Sequence, residues 1–188
     1  MSTSETSASG ISPSEVITFW REAGPKRWFE KNQAFDDEIR RRFLGIHEAA
    51  TEGVLTDWEK AAKGALALLI LLDQFPRNMF RGTPRMFESD PLARAIAAGA
   101  IVRGFDALVP GEMRGFFYLP FMHSEALDDQ MRCIAFYKAI GDADGLKWAE
   151  LHADIIRRFG RFPHRNAVLG RTTTPEEQAF LDGGGFAG

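Results

Sequence analysis

The longest apolar run in the chain, residues 65–72, places the strongest constraint on its fold. Lys63 precedes the run and Asp73 follows it directly. The run is far shorter than the roughly 20 residues that a helix needs to cross a bilayer. A helix that is apolar on every side must instead be surrounded by other parts of the protein. We therefore expect this helix at the centre of a globular domain.

Other sequence signals favour helices along the whole chain. Ser12 and Thr174 each offer an N-cap hydroxyl that is followed by a proline and then, three residues after the cap, by a glutamate. No segment shows the sustained alternation of apolar and polar residues that is typical of strands. The loops are short, which favours antiparallel neighbours. The sequence predicts an all-α fold of antiparallel helix pairs, with helices near residues 13–23, 32–52, 57–75, 90–103, 111–122, 125–140, 145–159 and 175–182.

Length and composition fit one domain. The chain has 188 residues, of which 45% are hydrophobic, and a domain of this size buries roughly 70% of its unfolded surface. We predict a single all-α domain over residues 12–182, a disordered tail over residues 1–11 and a flexible tail over residues 183–188. The first ten residues lack the basic start and apolar stretch of a signal peptide.

Charge and cysteine content exclude several classes of function. The net charge of -3 argues against a general nucleic-acid binder, which needs positive charge. The single cysteine, Cys133, excludes an intrachain disulfide and a multi-cysteine zinc site, and is in keeping with a reducing cytoplasm. No pair of histidines has metal-ligand spacing. We therefore predict a soluble cytoplasmic protein with no metal, no cofactor, no membrane contact and no nucleic-acid partner, and leave the oligomeric state open.

Two similar strings carry most of the polar signal. The first Arg-Asn segment is Phe75-Pro76-Arg77-Asn78, and the second is Phe162-Pro163-His164-Arg165-Asn166. Arginine and asparagine are rich in hydrogen-bond donors and are costly to bury without acceptors. A proline after a phenylalanine is expected to end the preceding helix and to fix the direction of the next residues. The two segments therefore predict a built polar site.

The first segment and the residues next to it supply five candidate ligand-binding residues, which are Asp73, Gln74, Arg77, Asn78 and Arg81. A carboxylate at the end of an apolar helix is unfavourable for the helix dipole. Asp73 therefore needs a cationic partner, and Arg77 or Arg165 could supply it. A structural clamp between aspartate and arginine explains the same residues without any ligand.

The second segment lies in a strongly basic stretch. Five arginines and His164 fall within residues 157–171, and Gly160 has the position of a helix C-cap. Guanidinium groups match carboxylates and phosphates in a bidentate manner. An anion-binding site would contain Arg161, Arg165, Asn166 and Arg171. The alternative is that these side chains satisfy helix-end carbonyls and pair with nearby acidic residues.

Three histidines lie in the C-terminal half of the chain: His123, His152 and His164. A histidine near a carboxylate can act as a general base. His164 and His123 are the candidates for that role, with Glu125 or Asp73 orienting the ring. His152 shares a helical face with apolar residues, which is typical of a core histidine, and is kept among the candidate ligand-binding residues.

Three strings carry a resemblance to a known family: Leu72-Asp73-Gln74-Phe75-Pro76-Arg77-Asn78, Tyr118-Leu119-Pro120-Phe121-Met122-His123-Ser124-Glu125, and Phe159-Gly160-Arg161-Phe162-Pro163-His164-Arg165-Asn166. With them the chain resembles a bacterial family, domain of unknown function 924, which is grouped with TPR-like helical folds. The match extends from about Val16 to Leu181. The resemblance implies antiparallel helix pairs but no established activity and no catalytic residues.

These residues support three hypotheses about function. In the first, the arginine, asparagine and histidine side chains bind an anionic small molecule or an acidic peptide. In the second, the same pocket belongs to a hydrolase or transferase that acts on phosphate or carboxylate esters. In the third, the arginines and asparagines only lock helices together, and the protein is an interaction scaffold.

Overall fold

The computed structural model describes residues 10–186. Within them there are helices and no strands, so the predicted all-α fold is confirmed. Residues 1–9 of the predicted N-terminal tail and residues 187–188 of the predicted C-terminal tail lie outside the described residues. The α-helices are α1 (Pro13–Phe29), α2 (Gln33–Thr51), α3 (Ala62–Leu69), α4 (Phe75–Met79), α5 (Asp90–Val102), α6 (Gly111–Arg114), α7 (Leu119–Met122), α8 (Leu127–Ile140), α9 (Ala143–Phe159) and α10 (Pro175–Asp182).

The described chain divides into two compact units. Unit 1 contains residues 10–81 and 85–120, and unit 2 contains residues 82–84 and 121–186. The later boundary falls inside α7. A single domain over residues 12–182 therefore stays a prediction.

Unit 1 is built around the apolar run. Residues 65–72 are all buried, as the sequence predicted, because α1 and α5 pack against α3 while α2 packs against α4. Aromatic rings fill the space beside the run. The ring of Phe75 lies 5.5 Å from that of Trp20 and 4.8 Å from that of Phe43, between centroids. This packing holds the first Arg-Asn segment in a fixed position.

The first Arg-Asn segment does not end its helix, which corrects the sequence prediction. α3 continues through a π-helical turn, Ile70–Gln74, directly into α4, so that Pro76 lies in the first turn of α4. A proline lacks an N–H group and its ring clashes with the carbonyl four residues earlier. The wider π turn absorbs this mismatch, since its hydrogen bonds connect residues five apart. Asp73, Gln74 and Arg77 consequently lie on one continuous helical path.

In unit 2, α8 and α9 pack against each other, and the second Arg-Asn segment follows α9. α9 ends at Gly160, whose φ of 67° is left-handed, so the predicted C-cap is confirmed. Gly160 and not Pro163 therefore stops the helix. Pro163 instead opens a short 3-10 turn, Pro163–Arg165, against which α10 packs. At the end of the described chain, Phe186 packs on the core formed by Ile155, Ile156 and Phe162.

No helix within residues 10–186 is both long enough and apolar enough to cross a membrane.

Candidate functional site

Asp36 accepts hydrogen bonds from Asn78, in the first Arg-Asn segment, and from Arg81, three residues after it. It lies in the first turn of α2 and is 5% exposed. Asn78 donates to one carboxylate oxygen from 2.7 Å. Arg81 donates to both oxygens, from Nε at 2.7 Å and from Nη2 at 3.0 Å. The side chains of Asn78 and Arg81 are thus committed to a carboxylate more than forty residues away in sequence.

Arg77 is held by two further carboxylates of unit 1. Its Nη1 and Nη2 atoms donate to the carboxylate of Asp90 at 3.0 and 3.1 Å. Nη1 also lies 3.5 Å from Asp73 and donates to the Asp73 carbonyl. Burial lowers the pKa of Arg77, but attraction to Asp73 and Asp90 raises it above its ordinary value. Of the two cationic partners predicted for Asp73, Arg77 or Arg165, the structure thus shows Arg77. Gln74 donates a further hydrogen bond to the Asp73 carboxylate.

Glu177 plays the corresponding role in unit 2. Arg161 donates to both of its oxygens, at 2.6 and 2.8 Å, and Asn166 donates to one of them at 3.1 Å. Glu177 also accepts from the backbone of Thr174, which completes the predicted capping box of α10. The hydrogen bonds from Arg161, together with the others, lower the pKa of Glu177 to about 2. The carboxylate is therefore ionised at every physiological pH.

Glu125, also in unit 2, forms an ion pair with Arg171. Arg171 donates to its two oxygens at 2.7 and 3.0 Å, and the backbone N–H of Phe162 donates at 2.8 Å. Burial raises the pKa of Glu125, but these bonds outweigh it and lower the pKa below its ordinary value. Arg171 also donates to the side-chain oxygen of Asn166 at 3.0 Å. Glu125 is thus engaged with Arg171 and the backbone, while His164 makes no side-chain hydrogen bond among the described residues.

Two of the three predicted histidines of unit 2, His152 and His164, lie beside the same two phenylalanine rings. His152 lies 5.5 Å from Phe162 and 4.6 Å from Phe186, and His164 lies 5.6 and 5.2 Å from the same rings. Electrostatic interactions with His123 and Arg165 lower the pKa values of both imidazoles. We call His123, His152, His164 and Arg165 the histidine cluster.

The imidazoles of His152 and His164 are neutral at physiological pH. Burial, helped by the nearby positive charges, lowers the pKa of His152 to about 4 and that of His164 to about 3. The Nδ1 atom of His152 lies 2.8 Å from the carbonyl oxygen of Trp148, which can only accept, so this nitrogen carries the hydrogen. The Nδ1 atom of His164 is buried without any hydrogen-bond partner in residues 10–186.

Arg165 is more deeply buried than Arg161 and Arg171. It is 7% exposed, and Nη2 donates to the carbonyl oxygen of His123 at 2.9 Å. Its guanidinium carbon lies 4.5 Å from the centroid of the Phe162 ring. Among the described residues, no group of three histidine, cysteine, aspartate or glutamate side chains is placed to hold a metal ion.

Sequence reasoning missed the carboxylate partners and one further histidine. Asp36 and Asp90 carry no local signal, and the local signal of Glu177 is only that of a capping box, because the pairing of each carboxylate depends on which arginine it faces in the folded chain. His47 is 4% exposed and lines a cavity of unit 1. Its position on the apolar stripe of α2, after Phe43 and Ile46, is a signal of burial that could have drawn attention to it.

Comparisons with known proteins place this architecture among proteins of unknown function. The sequence model of the family described as "Bacterial protein of unknown function (DUF924)" matches residues 16–185. A solved structure of a protein of unknown function, ATU0120 from Agrobacterium tumefaciens, is 47% identical in sequence. The match covers 91% of this chain and 97% of that chain, with a TM-score of 0.88. A search of curated proteins found no match.

Proposed function

The chain belongs to the DUF924 family of bacterial proteins, and we propose that it binds a small anionic molecule at the histidine cluster of unit 2. The observation that carries this proposal is the buried Nδ1 atom of His164, which has no partner in residues 10–186 and lies beside the positive charge of Arg165. Native proteins satisfy almost all buried polar atoms, and the exceptions call for an explanation. A bound carboxylate, phosphate or sulfate oxygen would accept a hydrogen bond from this nitrogen.

Positive charge close to His164 supports an anion at this place. Arg161 and Arg171 are each neutralised by a bidentate carboxylate, Glu177 and Glu125 respectively. The positive charge that depresses the pKa of His164 comes first from Arg165. No hydrogen bond fixes the His164 ring, which is partly exposed, so the ring can turn to meet a ligand. Because the Nδ1 atom of His164 is buried, only a small group could reach it. This favours a small molecule over an acidic peptide.

Calorimetric titration tests this proposal with sulfate, citrate and a glutamate-rich peptide as probes. We expect saturable binding of sulfate or citrate that weakens at high salt, because exposed charge interactions are screened. His164→Phe keeps an aromatic ring and should weaken binding by roughly tenfold or more, the value of a charge-assisted hydrogen bond.

Arg158→Gln is the matched control, since Arg158 lies on α9, is half exposed and pairs with Asp154. It should leave binding unchanged. Failure of both anions to bind, or equal binding by wild type and His164→Phe, would overturn the proposal. Binding of the peptide alone would replace the small molecule with an acidic partner protein.

A second candidate function is supported by the ion pairs themselves. Arg77, Arg81, Arg161 and Arg171 each have a bidentate carboxylate partner. Such geometry favours the scaffold hypothesis for these four side chains and removes them from the proposed ligand site. No comparable observation favours a hydrolase or transferase, because a histidine with a pKa of about 3 is a weak base at neutral pH.

We also propose that the protein is cytoplasmic. The chain has a single cysteine, Cys133, which is buried, as expected for a chain that does not depend on oxidising conditions. Fractionation of cells that produce the protein would test this, and recovery from a membrane or extracellular fraction would contradict it.

A further inference from the structure

Unit 1 contains a cavity that none of the predicted site residues line. Its volume is about 240 Å³. A water molecule takes up about 30 Å³ in the liquid, so there is room for a ligand of a few non-hydrogen atoms. The lining residues are His47, Thr51, Arg85, Glu88, Ser89 and Leu92.

His47 brings an unused hydrogen-bond acceptor to this cavity. The side chain is 4% exposed, and its Nδ1 atom lies 2.9 Å from the carbonyl oxygen of Leu71. The carbonyl can only accept, so Nδ1 carries the hydrogen and Nε2 carries a lone pair. Nε2 has no hydrogen-bond partner among residues 10–186 and is not sealed from solvent. A buried polar side chain with an open acceptor beside a cavity points to a ligand that donates.

The other polar groups of the lining are also acceptors. The hydroxyl of Ser89 donates to the carbonyl of Leu72 at 2.6 Å, and that of Thr51 donates to the carbonyl of Glu48 at 2.8 Å. Each hydroxyl has thereby used its hydrogen and keeps only lone pairs. The carboxylate of Glu88 makes no ion pair or hydrogen bond within the part of the chain that the structure describes.

The one basic residue of the lining has its charge balanced. Nη2 of Arg85 lies 2.9 Å from the carboxylate of Glu48, and its guanidinium carbon lies 4.1 Å from the centroid of the Phe80 ring. The remaining charge in the lining is that of Glu88. The cavity is therefore rich in acceptors and negative overall.

We propose that this cavity binds a small protonated amine, whose N–H groups donate to Nε2 of His47 and to the carboxylate of Glu88. The geometry requires a neutral His47, and burial lowers the pKa of this residue below its ordinary value. The site is independent of the histidine cluster, because it uses other residues and attracts the opposite charge. Either proposal can fail without the other.

Nitrogen NMR of protein labelled with ¹⁵N-histidine tests the proposal directly. We would titrate it with propylammonium, and in parallel with propanol and propionate, which have the same chain length but different charge. The Nε2 resonance of His47 should shift in a saturable way with propylammonium and with neither of the others. The three histidines of unit 2 serve as internal references and should not follow the same curve.

Two variants separate the roles of the acceptors. Glu88→Gln keeps the size of an exposed side chain and should weaken propylammonium binding by roughly tenfold, because the hydrogen bond to the ammonium loses its negatively charged acceptor. His47→Asn keeps a donor near the Leu71 carbonyl but removes the Nε2 acceptor, and should weaken binding similarly. Glu52→Gln, an exposed residue at the end of α2 that does not line the cavity, is the matched control.

Three results would overturn the proposal: no saturable shift with propylammonium, equal affinity in Glu88→Gln and wild type, or a response to propionate instead. Circular dichroism checks that His47→Asn is folded. If that variant is unfolded, Glu88→Gln still decides the outcome, since its side chain is exposed.

Discussion

Replacing Asp36 with alanine would remove the acceptor on which the first Arg-Asn region depends. The carboxylate is buried and accepts from Asn78 and, twice, from Arg81, all within 3.0 Å. Loss of one partner from a buried ion pair costs about 3–5 kcal/mol, because the other charge is left buried and uncompensated. The side chain of Arg81 is 33% exposed and can partly rehydrate. We therefore expect Asp36→Ala to lower the free energy of unfolding by about 3 kcal/mol.

Urea unfolding followed by far-ultraviolet circular dichroism measures this change. The midpoint should fall while the slope stays constant, and the Tm should fall by roughly 6–12 °C for a chain of this length. Glu38→Ala is the control on the same helix. Glu38 lies 3.3 Å from Arg42, but the two side chains are 39% and 41% exposed. An exposed pair of this kind contributes about 0.5 kcal/mol or less.

A double variant separates the ion pair from other effects of the substitution. Asp36→Ala combined with Arg81→Ala should cost less than the sum of the two single changes, since neither charge is then left without its partner. If Asp36→Ala unfolds within about 1 kcal/mol of wild type at unchanged slope, the buried-pair argument fails. Arg81 and Asn78 would then return to the list of side chains available for a ligand.

Three further predictions concern packing, acid stability and thiol reactivity. A Cβ atom at position 64 would lie 2.0 Å from the carbonyl oxygen of Trp58, so Gly64→Ala should destabilise the protein by about 3 kcal/mol in the same urea assay; a neutral effect would contradict this packing. The stability that Glu177 contributes is complete above about pH 4.5 and is lost as the pH falls towards 2, because Arg161 and its other donors lower the folded-state pKa to about 2. The Tm of Glu177→Gln should accordingly depend less on pH between 5 and 3 than that of wild type. Burial raises the pKa of Cys133 to about 12, so a thiol reagent should label it slowly at pH 7 and quickly in urea; fast labelling of the folded protein would refute its burial.

The paired arginines and the histidine cluster have different physical roles. A bidentate pair such as Arg161 with Glu177 fixes two segments of unit 2 and leaves little charge for a ligand. The histidine cluster instead holds a buried nitrogen without a partner beside Arg165. A test of anion binding should therefore target His164, and a test of stability should target the carboxylates.

Local sequence signals determined the elements of this fold. The apolar run of residues 65–72, the capping boxes at Ser12 and Thr174, and Gly160 at the end of α9 each act within one or two helical turns. Hydrogen bonds and side-chain contacts over so short a distance depend on residue type and spacing, which a sequence displays. The helix boundaries that rest on such signals were therefore predictable.

Tertiary structure alone decided the roles of the polar residues. Arg81 meets Asp36 across 45 positions, and Arg171 meets Glu125 across 46. Nothing in the spacing of these residues selects one carboxylate over another, because the choice depends on how whole helices pack. The same packing let α3 run through a π turn into Pro76 and formed the cavity beside His47. The sequence thus displays which groups need partners, and only the packed chain determines which partner each one finds.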